Sequence, residues 1–109
     1  MRHFLGVAAV LLASGALAQS ATTVDRARSD LDSCLRANAD LELAKTDGAA
    51  AAARAALGKC DTEVGKLDRA MARASRDAGK TVTQNKEATE AAHQAILAGV
   101  EAFIAGNLE

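Results

Sequence analysis

The sequence has no proline, tryptophan or tyrosine, and its only aromatic residues are Phe4 and Phe103. Strands favour aromatic and β-branched side chains, so this scarcity excludes a β-sandwich. Two cysteines are too few for a disulfide-dense mini-fold, and a chain without proline is not collagen-like. The formal charge is −1, which excludes nucleic-acid binding driven by bulk charge. What remains is a 109-residue chain, half of it apolar, with alanine supplying much of that half. At this length one small domain is expected. Little in it would wall a substrate cleft, so no enzyme is expected.

The first eighteen residues have the pattern of an export segment. Met1 to His3 is short and basic, Phe4 to Ala18 is apolar or small throughout, and Ala16-Leu17-Ala18 is an A-x-A site before Gln19. Cleavage after Ala18 is expected, leaving residues 19–109 as one helical domain. The alternatives are an uncleaved anchor or a buried N-terminal helix. An apolar run of 15 residues is short of the ~20 that span a bilayer. With cleavage or an anchor, the chain from Asp25 onward is expected outside the cytoplasm, periplasmic or secreted.

Two runs then carry a heptad seam. Val24, Ala27, Leu31, Cys34, Asn38 and Leu41 are spaced 3, 4, 3, 4, 3, and Ala53, Leu57, Cys60, Val64, Leu67, Met71 and Ala74 continue in the same way. They predict helices over 23–45 and 49–78, separated at Asp47 and Gly48, where Thr46 or Asp47 suits a cap. Folded back there as an antiparallel hairpin, Cys34 faces Cys60, Leu41 faces Ala53 and Ala27 faces Leu67. Leu31 with Val64 and Val24 with Met71 lie one step away. The agreement of seam, turn and cysteine positions predicts a Cys34–Cys60 disulfide, with free thiols as the alternative. The alanines from Ala49 to Ala56 would let helices approach closely near the turn.

A third helix is expected over 84–108. Gly79 breaks the second pattern, and Thr81 with Gln84 forms a capping box. Ile96, Val100 and Phe103 make one stripe, widened by Leu97, Ile104 and Leu108, while Ala95, Ala98, Gly99, Ala102, Ala105 and Gly106 make a separate small-residue face. A helix this apolar is expected to bury more than one face. Either it docks on the hairpin, or its stripe is a partner, self-association or membrane-contact face. The fold class is therefore all-α, a coiled-coil-like hairpin with a third amphipathic helix.

Chemistry-bearing sets are sparse. Glu90 and His93 have the spacing of half a di-metal motif, but His93 is the one histidine after the expected cut, and such sites need two pairs. No metal, cofactor, catalytic set or small-molecule substrate is expected. The feature that stands out is charge: Lys66, Arg69, Arg73, Arg76 and Lys80 recur at 3, 4, 3 and 4 beside the second seam. This stripe is either a solvated face balanced by Asp68, Asp77 and the third helix's glutamates, or a docking surface for an acidic partner, anionic lipid or surface polysaccharide.

The segment from Ser29 to Leu41, with Cys34, Asn38 and Leu41 spaced C-x3-N-x2-L, resembles the phage spanin subunits anchored in the inner membrane. The alanine-rich helix after it and the run from Lys66 to Arg76 are similar to their coiled-coil region, and together the likeness covers about residues 29–80. It implies an N-terminal anchor, a periplasmic coiled coil, pairing with an outer-membrane lipoprotein and a part in host lysis. The cleavable-looking N-terminus and the facing Cys60 depart from that pattern. The other expectation is a small periplasmic helical binding protein, stress- or chaperone-like, stapled by its disulfide. Both act by protein contact.

Overall fold

The computed structural model describes residues 21–109; the expected export segment lies outside them. The described chain is all-α. Its helices are α1 (residues 21–37), α2 (Leu41–Asp47), α3 (Ala49–Leu57), α4 (Asp61–Asp77) and α5 (Val82–Asn107), and no strand occurs among the described residues.

The two long helices expected over 23–45 and 49–78 are each split, and short polar side chains and a glycine explain where. Asn38 Nδ2 donates to the Cys34 carbonyl at 2.8 Å, taking up an acceptor at the end of α1. Asp40 then caps α2, accepting from Leu43 N at 3.1 Å. Both residues do locally what Asn and Asp do at helix ends rather than inside helices. The second break falls after Gly58, a poor helix former, where Lys59 N and Cys60 N turn back to the carbonyls of Ala56 and Leu57. α4 restarts with Asp61 and Glu63 in its first turn, which suits the positive end of its dipole.

The two breaks meet at the Cys34–Cys60 disulfide. The Cα atoms are 6.1 Å apart, inside the range that a bridge spans without moving backbone. Asn38 Nδ2 also lies 3.5 Å from the Cys34 sulfur and 3.8 Å from that of Cys60, so one side chain both ends α1 and lines the bridge.

The core runs along the bundle: Ala27, Leu31 and Leu35 from α1, the alanine face of α3, Cys60, Leu67 and Met71, then Ala92, Val100 and Ile104 from α5. Its α1 share differs from the heptad reading. Leu35 is fully buried and Leu41 is exposed, because the chain changes direction at 38–40 and the phase of the first seam stops there. Val64 is half-buried against the core.

α5 docks back on the rest, packing along α3, α4 and α2. The alanines of α3 do allow a close approach; Ala52, Ala53 and Ala56 are buried in a helix that packs along α5 as well as α2. Gly48 links α2 to α3 alone, at φ 96°, a conformation L side chains rarely adopt. α4 ends in a Schellman turn: Gly79 is left-handed at φ 71°, Lys80 N donates to Ser75 O at 2.9 Å and Gly79 N to Arg76 O at 3.0 Å. The Thr81–Gln84 capping box then starts α5, its bonds 3.1 and 2.9 Å long. Across the α4–α5 face, buried Ser75 donates to Asn85 Oδ1 at 2.9 Å and His93 Nε2 lies 2.7 Å from Asp68 Oδ1.

Among the described residues, the Thr89 hydroxyl on α5 is buried without a hydrogen-bond partner. An unpaired buried hydroxyl costs desolvation with no return. Thr89→Val replaces it by a methyl of similar shape and is expected to raise stability by about 0.5–1 kcal/mol, read as a higher melting temperature. A lower one would mean that the hydroxyl is bonded.

Candidate functional site

α4 is amphipathic, and its inward side fixes where its cations point. Leu67, Met71 and Ser75 are buried, and Lys66, Arg69, Arg73 and Arg76 fall on the exposed side. Lys80 departs from the helical stripe read in the sequence, since α4 stops at Asp77. After the left-handed turn at Gly79, Lys80 nonetheless lines one groove with Arg69, Arg73 and Arg76.

Two grooves flank the row, each about 330 Å³. One lies between α1 and α4, with Ala27 and Ala70 in it and Arg26, Lys66, Arg69 and Arg73 supplying cations beside a single carboxylate, Asp30. The other lies between α4 and the start of α5, lined by Arg69, Arg73, Arg76, Lys80 and Val82 among others. Arg69 and Arg73 belong to both. Arg26 is a contributor that the sequence did not single out; it lines the α1–α4 groove from the α1 side.

No ion pair seen among the described residues joins the stripe to the carboxylates expected to balance it. Asp68 goes to His93, and the other ion pairs seen among the described residues are Asp32–Arg36 and Glu42–Lys45. None engages the five cations. Like charges three and four residues apart on a helix repel each other, so the row lowers stability until an anion covers it. The second groove adds no relief, because the first turn of α5 has no acidic residue and presents the positive end of that helix's dipole.

The α5 residues expected as an interaction face are turned elsewhere. Val100 is fully buried and Ile96 is half-buried against the core, so this stripe holds α5 to the bundle. Phe103 stays at the edge, at 36% exposure, with the Arg36 guanidinium 4.7 Å from its ring centre. The side of α5 left outside is the small-residue one: Ala91, Ala95, Ala98, Gly99, Ala102 and Ala105 are exposed, as are Glu87, Glu90 and Glu101.

Two other clusters have chemical potential and are already engaged. The sulfurs of Cys34 and Cys60 and a Glu63 carboxylate oxygen lie within 4.8 Å of one another, but the sulfurs are bonded together and neither is a thiolate. His93, with Glu90 one turn before it, is held by Asp68. No helix among the described residues is long and apolar enough to cross a membrane. No family model, curated protein or solved structure matches this chain.

Proposed function

We propose that this protein is an exported, non-enzymatic helical binding protein that works by protein–protein contact, docking an acidic partner on the basic face of α4. The observation that carries the reading is that row of five exposed cations, in none of the ion pairs seen among the described residues and flanked by two grooves. Its frame is an antiparallel α1–α4 pair stapled by Cys34–Cys60. In support, Ala21 and Val24 line a surface with Ala74 and Ala78 at the end of α4, while Asp30 shares a groove with Lys66 nearer its start. A stapled pair that doubles back favours the periplasmic binder over the spanin-like lysis component, whose pattern is an anchored coiled coil without the facing Cys60.

Two measurements test it. Expressed as the full chain in a Gram-negative host, the protein is expected in the periplasmic fraction with Gln19 as its first residue. Recovery in the inner membrane with Met1 intact would return the spanin-like reading. In anisotropy titrations, a glutamate-rich helical peptide is expected to bind the oxidised protein, and Arg69→Glu with Arg73→Glu to weaken it by about tenfold or more. Equal binding by the charge-reversed protein would rule out this face.

A further inference from the structure

We infer that the basic face of α4 seats the exposed acidic face of α5 from a second copy of the same chain. The inference rests on the reading of α4 as a docking surface and names its occupant.

Both halves of the contact are present in one molecule. On α4, Lys66 and Arg73 are seven residues apart, as are Arg69 and Arg76. On the outside of α5, Gln84, Glu87, Ala91, Gln94, Ala98, Glu101 and Ala105 recur at 3 and 4, and all seven are exposed. Glu87, Gln94 and Glu101 therefore repeat every seven residues on this ridge, with Glu90 beside them. Seven residues of helix rise ~10.5 Å, so the α5 ridge repeats at the interval of the α4 cations, with carboxylates at its first and third repeats, Glu87 and Glu101, and the Gln94 amide at the second. A shared heptad period is what lets two helices stay in contact over several turns.

The fit extends to shape. Between the carboxylates the α5 ridge carries alanine, which lets another backbone come near, and the α1–α4 groove has Ala27 and Ala70 between its cations. Glu87, Glu90 and Glu101 join none of the ion pairs seen among the described residues, so both sets of charges are available. They do not meet within one molecule, because α5 is held to the bundle by its opposite side, through Ala92, Val100 and Ile104. The contact joins two different patches, so each copy both offers an α5 and receives one.

The test is the molar mass of the oxidised full-length mature protein, from sedimentation over a concentration series. At an ionic strength of about 0.01 M, assemblies larger than one chain are expected, dissociating as salt rises to about 1 M and the screening length falls from roughly 30 to roughly 3 Å. Arg69→Glu with Arg73→Glu, and separately Glu87→Arg with Glu90→Arg, are each expected to weaken association by about tenfold or more. Mixing the two variants should restore it, because the acidic α4 of one then meets the basic α5 of the other. All four positions are exposed, and circular dichroism on each variant establishes that it is folded. A wild-type chain that stays monomeric throughout, or variants whose mixture regains nothing, would overturn the inference. If that monomer still binds the glutamate-rich peptide, the docking function stands and only its occupant is wrong. If it binds anionic vesicles instead, both fall.

Discussion

Replacing Cys34 or Cys60 by serine is expected to lower the melting temperature of the oxidised protein by roughly 12–24 °C. The bond joins residues 26 apart in sequence, and closing a loop of that size in the unfolded chain is worth about 3 kcal/mol. In a chain of about this length each kcal/mol moves the midpoint by about 4–8 °C. The location supports a loss of that size. Cys60 is fully buried, and the cross-link sits where both α1 and α3 end, so it spans two gaps in backbone hydrogen bonding. Where continuous helices would have transmitted order past residues 38–40 and 58–60, here the sulfurs and the Asn38 amide hold the ends together. Because one bond is shared, the double serine variant should melt no lower than the worse single, and reductant should bring the wild type to the same midpoint. Losses that add, or a wild type indifferent to reductant, would show that the thiols are not joined to each other.

How much of this was legible follows from which forces leave a periodic trace. Ala27, Leu31, Leu67 and Met71 were readable as core because burial acts on every turn of a helix, so apolar residues recur with its period. The breaks were not, because they depend on one or two hydrogen bonds. Asn38 falls on a seam position by count, yet its amide turns back on the Cys34 carbonyl, and the signal available was Asn38 and Asp40 together, two residues that favour helix ends. Gly58 was hidden by the alanines before it and the seam after it. Reading through both breaks carried the phase to Leu41 and passed over Leu35.

The candidate site divides in the same way. The row from Lys66 to Arg76 was visible because it too has the helical period, whereas Arg26 joins it from another helix and needs packing to be seen. The sequence also showed that α5 has an apolar stripe and a small-residue face. It did not show which of the two turns inward, since alanines on α3 and large residues on α4 offer different partners to either. The structure spends the stripe of Val100 and Ile104 on the bundle and leaves the alanines and glutamates outside.

That allocation makes Val100 and Ile104 the positions where substitution should be most damaging. Both are fully buried, on a helix that packs along α3 and α4. Ile104→Ala leaves a cavity among side chains that relax only in part, and about 2–5 kcal/mol of stability should be lost. Val100→Asp is expected to do more. Its carboxylate would be carried into an apolar core with no cation to meet it, and an unpaired buried charge costs about 3–5 kcal/mol or drives the element out. Among the described residues the largest fully buried side chains are three leucines, one isoleucine, one valine and Cys60, so a loss of that size removes most of what a small domain has. The expected result is a protein without a cooperative melt, or one with α5 detached and its amides exchanging rapidly while the disulfide-linked part stays folded. Ala95→Asp provides the comparison: it adds the same charge to an exposed position of the same helix and should cost under about 1 kcal/mol, chiefly helix propensity. An α5 that projected as a free arm would make the two aspartates equivalent, because Val100 would then face water as Ala95 does. Equal melting of the two variants would therefore remove the docked helix from the fold, and with it the reason why the acidic side of α5 is the side left facing outward.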